Sequence, residues 1–208
     1  MKFIFFVEGE TEAKALPAFF KRWLDPRLDK PVDIQAVHFR GCAEVVHYTS
    51  KRAKAFLNAP NSDVIAVIAL LDLYRLELSY PAGAESAADR VTWATEHLER
   101  RVGEARFRQY FAVHELEAWL LSDVTIFPND LQIAFPPKIK QPEKVNFDEP
   151  PSKLIEKLYL SKTKRPYKKL TYGEKLFAEL NPEIAYQKCP NLKALLDEML
   201  ALAKGAGQ

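Results

Sequence analysis

Cysteine is almost missing from this chain. Cys42 and Cys189 are its two cysteines in 208 residues, too far apart for a metal-ligand spacing, and the four scattered histidines supply none either. Both cysteines read as small buried apolar residues. An excess of charge of one sign is also lacking. Thirty basic residues face 28 acidic ones, and a net charge of +2 is too small to imply a nucleic-acid partner by itself. No run reaches the roughly 18 apolar residues of a membrane span. The first residues offer about six apolar positions before Glu8, too few for the apolar region of a signal peptide. Neither an internal repeat nor a P-loop pattern (G-x-x-x-x-G-K-[ST]) occurs. These absences lead to the expectation of a soluble, cytoplasmic protein with reduced thiols and no membrane partner.

What is present is an ordinary globular balance, 48% hydrophobic and 28% charged, enough for a sizeable core. KFIFFV (2–7) reads as a short buried strand. After Gly9, TEAKALPAFFKRWL carries apolar residues at helical spacing, with Thr11 as its cap and Pro17 as a potential kink. VDIQAVHF (32–39) reads as a second strand, 43–57 as a helix, and VIAVIALLD (64–72) as a central strand buried on both faces. Residues 85–104 form an amphipathic helix, and 106–115 a fourth strand running into the helical turns of LEAWLL. Strands alternating with helices predict an α/β fold around a mostly parallel four-stranded sheet. From residue 124 the texture changes. Residues 124–151 hold six prolines and little periodicity, followed by helical SKLIEKLYL, GEKLFAEL and NLKALLDEMLALA. The expected organisation is an α/β domain over 1–123, with 124–208 as a Pro-rich excursion and helical extension packed on it. The excursion is expected to dock a partner.

In a parallel sheet, ligands bind beyond the carboxyl ends of the strands. Here the first strand ends at Glu8, the third at Asp72, and the fourth at Glu115 and Glu117, which would bring these acids to one edge. Glu12 is near enough to join from the first helical turn, whereas Glu10 reads as solvated. Clustered carboxylates repel one another unless a cation neutralises them. Oxygen ligands without Cys or His nearby favour Mg²⁺ or Mn²⁺ over zinc.

VEGETE (7–12), HELEAWLLSD (114–123), PPSKLIEKL (150–158) and KCPNLKALL (188–196) together resemble a Toprim-like family of the overcoming-lysogenization-defect (OLD) nuclease type. Members are often encoded beside an AAA-type ATPase. The resemblance covers nearly the whole chain. It implies a Toprim-like fold and a Mg²⁺-dependent (or Mn²⁺-dependent) nuclease acting on nucleic acid, DNA more than RNA. It further implies an anti-phage effector with an ATPase partner supplied in trans. On this pattern Glu8 and Asp72 carry catalysis. Glu8, Glu12, Asp72, Glu115 and Glu117 form the metal-ligand set, and Lys168 or Lys169 matches the family's lysine. The chain departs from the pattern at Asp72-Leu73-Tyr74, where a full Toprim motif has two aspartates. Tyr74 is a poor ligand because its phenol is normally protonated, so Glu77 or the acids after the fourth strand would have to compensate.

Around such a centre, Gly9 would let the backbone turn sharply toward a phosphate. Lys162, Lys164 and Arg165, with Tyr167 and Tyr172 interleaved nearby, suit backbone contact with nucleic acid. His114 and Tyr74 are placed to support the ligands from behind. Trp23 and Trp119 read as core, and His38, His47 and His97 show no partner pattern. Two alternatives stand beside the nuclease: a Toprim-like module that binds without cleaving, and phosphate-ester hydrolysis on a nucleotide.

Overall fold

Four apolar segments pair into one sheet in the computed structural model, which describes residues 1–73, 76, 78–136, 139–144 and 150–207. They are β1 (Lys2–Val7), β2 (Asp33–His38), β3 (Val64–Asp72) and β4 (Phe107–Ala112), in the order β2-β1-β3-β4 with every pair parallel. Every residue of β3 is buried, as a strand covered on both faces requires. The register aligns Val7 with His38 and Asp72 with Ala112, so all four carboxyl ends share one edge.

Side chains alternate between two cores. Phe3, Phe5 and Val7 of β1 join Ile68 and Leu70 of β3 on one face. Ile4 and Phe6 join Val67, Ala69 and Leu71 on the other. The second face is covered by α2 (Cys42–Leu57) and α3 (Ala87–Val102), through residues such as Val45, Ala53, Ala94 and Leu98. The first is covered by α1 (Glu10–Leu24), which buries Leu16, Phe19, Phe20 and Trp23, and by the C-terminal third of the chain.

That third contains short α4 (Glu117–Leu120) and α5 (Asn129–Gln132), then α6 (Pro151–Thr163). A π-helical turn (Lys169–Gly173) leads into α7 (Glu174–Glu179), followed by α8 (Pro182–Lys188) and α9 (Pro190–Ala206). Its apolar residues, from Phe127 and Leu131 to Leu196 and Met199, belong to the same core cluster as Phe3 and Phe5. Arg22 of α1 clasps this cover from below, donating to the carbonyls of Phe177, Ala178 and Leu180. Among the described residues, no helix is long and apolar enough to cross a membrane.

Three local expectations change, and one helix is new. Gly9, not Thr11, stands at the N-cap of α1, and Thr11 is a buried helical residue; the helix starts as soon as the strand ends. It then continues through Pro17. β4 stops at Ala112, three residues early, because the chain swings at His114 into left-handed backbone (φ +70°). The Pro-rich excursion is less irregular than its composition suggests. Ile126, Phe127, Leu131 and Phe135 are buried, and Phe127 packs on Phe135 with ring centroids 4.8 Å apart. Helix α8 was not foreseen at all.

Candidate active site

At the shared edge, acidic side chains tie the strand ends together. The Glu8 carboxylate accepts the Asp72 backbone N–H at 2.8 Å, linking β1 to β3. Asp72 in turn accepts the Leu116 N–H at 3.2 Å, linking β3 to the segment after β4. Each carboxylate therefore uses one oxygen to hold its neighbour's backbone.

Lys169, from the π-helical turn, enters this edge from the C-terminal cover. Its ammonium lies 3.0 Å from a Glu12 oxygen and 3.3 Å from a Glu117 oxygen. Both partners are almost wholly buried. The second Glu117 oxygen is also buried and has no hydrogen-bond partner among the described residues, and neither has the nearby Tyr167 hydroxyl. Gly173 lets the turn come this close: a Cβ there would stand 2.9 Å from Cγ2 of Thr11 on α1.

Gly9 has a different role from the one expected. Its backbone is extended (φ −143°), a conformation open to any residue. What a side chain would lose is space, because a Cβ would stand 2.6 Å from the Glu12 carboxylate. Gly9 makes room for Glu12 to fold back toward Lys169.

Burial raises the Asp72 pKa well above the ordinary carboxylate range. Lys169 opposes that shift, and Glu8, Glu117 and Glu12 add to it. Burial raises Glu117 as well, again against the pull of Lys169. For Lys169, burial alone would lower the pKa. The carboxylates of Glu117, Asp72 and Glu12 outweigh it and hold the ammonium protonated above its usual range. The result is a cluster of largely buried carboxylates with one part-exposed ammonium, Lys169, among them in the described residues.

The candidate residues divide by position. Glu8, Glu12, Asp72, Glu117 and Lys169 come together. Glu115 is buried beside them, but one of its oxygens accepts the Ser152 N–H at 3.0 Å, at the start of α6. Glu115 and Glu117 thus take different partners, because strand pairing has ended before either of them. His114 is buried and faces a separate cleft lined also by Lys140, Glu143 and Asn191. Burial lowers its pKa, against the opposing influence of Glu115 and the Glu143 backbone. Lys168 is exposed. Lys162, Lys164 and Arg165 are exposed at the C-terminal end of α6, and none forms an ion pair with these acids among the described residues. Tyr167 is buried against Tyr159 (ring centroids 5.3 Å apart) and so belongs to the core rather than to the exposed basic stretch beside it. Cys189 is buried as anticipated, whereas Cys42 is half-exposed. Tyr74 and Glu77 lie outside the described residues.

The cluster passes one test as a cation site and qualifies another. Its donors are hard carboxylate oxygens, and the partnerless Glu117 oxygen is a buried acceptor that a cation would satisfy. As the side chains stand, however, no three acids among the described residues form a ready-made ligand group. Lys169 already bridges Glu12 and Glu117. Sequence reasoning missed the basic side chains on the other side of Glu8. Arg40, His47 and Arg101 line a groove of about 630 Å³ that the half-buried Glu8 also lines. They come from three separate segments, and no local pattern connects them.

The sequence matches the model of a family described as "Domain of unknown function (DUF4276)" over residues 7–200. No curated protein matches it. Among solved structures, the chain is similar to the C-terminal region of the Burkholderia pseudomallei OLD protein, at 15% identity and a TM-score of 0.46. That match covers 95% of this chain and 98% of the other. It is also similar to the C-terminal region of the Xanthomonas campestris pv. campestris OLD protein, at 14% identity and a TM-score of 0.46, covering 99% and 97%.

Proposed function

The chain belongs to the DUF4276 family, and we propose that its edge cluster is the centre of a Mg²⁺- or Mn²⁺-dependent Toprim-type nuclease that hydrolyses phosphodiester bonds of DNA or RNA. The observation that carries this reading is the gathering of Glu8, Glu12, Asp72 and Glu117 at one sheet edge, where Lys169 bridges Glu12 and Glu117 and one buried Glu117 oxygen has no partner among the described residues. Two backbone N–H groups account for one oxygen each of Glu8 and Asp72, but burying Glu12 and Glu117 around one lysine is often no more stabilising than apolar packing. They are suited to holding divalent cations, and a lysine among them is suited to a phosphate.

Glu8, Asp72, Glu12 and Glu117 would hold the cation, which when bound activates a water and stabilises the departing oxygen. Glu8 stands at the mouth of the groove, half-exposed, where a carboxylate can take a proton from an attacking water. Asp72 is fixed by the Leu116 N–H and keeps water out by its burial. For Glu12 and Glu117 to turn to a cation, Lys169 has to release one of them. Its ammonium is then available to a phosphate oxygen, where it offsets charge developing in the transition state. An anti-phage role with an AAA-type ATPase partner extends the proposal, and the motif resemblance is its sole support.

A module that binds without cleaving is favoured by one fact, that Lys169 already neutralises two of the acids. The two readings separate when purified protein is incubated with plasmid, single-stranded DNA and RNA, in Mg²⁺, Mn²⁺ or EDTA, beside Glu8→Ala and Asp72→Ala. Cleavage that needs the cation and disappears in both variants is the expected result. Cleavage unchanged in either variant removes the site, and binding without cleavage under every condition supports the module.

A further inference from the structure

The groove beside Glu8 brings basic side chains from three separate segments together over apolar residues of the second core. β1 and β2 continue past their ends as a backbone pair: the Phe39 N–H donates to the Val7 carbonyl and the Gly41 N–H to the Glu8 carbonyl, at 3.0 and 3.1 Å. Arg40 is held between these two bonds, one residue from a backbone contact to Glu8. Gly41 (φ +96°) lets the chain turn there into α2, where most side chains would be strained. His47 follows on the exposed side of α2, and Arg101 comes from the last turn of α3. Val46, Leu76 and Leu78 complete the lining, giving a groove with an apolar floor and basic walls.

Among the described residues, the side chains of the groove's two arginines are without protein acceptors, as are those of Arg100 and Arg165. Arg22, Arg27, Arg106 and Arg108 are spent on carbonyl or carboxylate acceptors, and Arg52 stacks on Phe39. The Arg40 and Arg101 guanidiniums make no hydrogen bond or ion pair among the described residues, and both are exposed. Two guanidiniums and an imidazole share one groove with the Glu8 carboxylate, a lining suited to a chain of phosphates. Guanidinium suits phosphate because its planar donors match two oxygens at once.

We infer that Arg40, His47 and Arg101 form the track along which a nucleic-acid strand enters, holding its backbone phosphates so that one phosphodiester reaches Glu8. This rests on the nuclease reading for what happens at Glu8, but not for binding along the groove. The ligand class is a phosphodiester strand. A strand carries one phosphate per nucleotide along the groove, whereas a mononucleotide brings its phosphates to one point.

The test is fluorescence anisotropy with a labelled single-stranded oligonucleotide in EDTA, over a series of salt concentrations. Wild type is compared with Arg40→Gln/Arg101→Gln and, as a control, Lys30→Gln/Lys204→Gln, on a separate cleft beside Met1. All the substituted residues are exposed, and thermal melts confirm folding. The expected result is at least a tenfold loss of affinity in the arginine pair. Its slope of log affinity against log salt should be shallower by about 1.4, at about 0.7 per lost single-strand phosphate contact. The lysine pair should keep the wild-type slope. Equal binding by wild type and the arginine pair overturns the track, as does a wild type that fails to bind at low salt. Displacement of the oligonucleotide by a mononucleotide at similar concentration overturns it too, turning the groove into a nucleotide pocket. A wild type that binds through the arginines but cleaves nothing in Mn²⁺ leaves the track standing and removes the nuclease.

Discussion

Lys169 decides what the acidic edge can do. Without it, Glu12 and Glu117 would be buried carboxylates with no counter-charge, a costly arrangement that ordinarily ends in protonation. Replacing it with methionine keeps the stem and removes the charge. In Lys169→Met, Mn²⁺ binding followed by electron paramagnetic resonance should tighten about tenfold, since the cation no longer competes with an ammonium, while cleavage falls by about a hundredfold. Weaker Mn²⁺ binding would mean that the lysine does not compete for these oxygens. The glycines beside the site separate activity from stability. Gly9→Ala meets only the mobile end of Glu12 and should impair cleavage with little change in melting temperature. Gly173→Ala meets the Thr11 methyl and should cost about 1–3 kcal/mol, as overpacking does. His114 supplies the pH dependence. Burial depresses its pKa below 6.5, so as pH falls from about 6.5 the unfolded chain takes up the proton first and stability is lost. His114→Asn, whose side chain tolerates positive φ, should lose less melting temperature than wild type between pH 6.5 and 5. An identical acid slope would show that His114 does not titrate in this range.

At the scale of elements, two glutamates fasten the C-terminal cover by accepting from helix starts. Glu115 receives the Ser152 N–H of α6, and Glu143 receives the Asn191 and Leu192 N–H groups of α9. Glu143 also takes the Asn191 side-chain amide and the buried Trp119 indole N–H, so one carboxylate joins the Pro-rich segment, α4 and α9. Glu143→Ala strands these donors and should cost about 2 kcal/mol. At 2–4 °C per kcal/mol for a chain of this size, that is a fall of roughly 4–8 °C in melting temperature. A shift under 1 °C would show that water replaces the carboxylate. These ties also explain which elements were legible. KFIFFV and VIAVIALLD declare themselves because a strand buried on both faces needs continuous apolar residues. α8 has only seven residues and one buried side chain, Ala185, too little periodicity to read. The Pro-rich segment looked irregular because tertiary contacts to Phe127, Leu131 and Glu143, rather than local repeats, hold it in place.

Across the whole molecule, one parallel sheet serves two separate demands at a single edge. Its carboxyl ends gather acids, a pattern visible in the sequence because acids follow the first and fourth strands and end the third. The C-terminal cover brings the opposing charge, and Lys169 was named in advance only as one of two neighbours. Which neighbour reaches inward depends on the π-helical turn and on Gly173 packing against α1. The basic groove was not legible at all, because Arg40 and Arg101 meet only through the packing of α2 beside α3. Glu8 stands where the acidic edge and the basic groove meet, and the account depends on cation and strand acting together there. The most direct test follows Mn²⁺ occupancy and oligonucleotide cleavage in one titration, in wild type and Asp72→Asn. The account predicts that cleavage rises with occupancy of the site, stops in EDTA, and is lost together with Mn²⁺ binding in Asp72→Asn. Cleavage that persists in EDTA, or Mn²⁺ binding unchanged by Asp72→Asn, would contradict it.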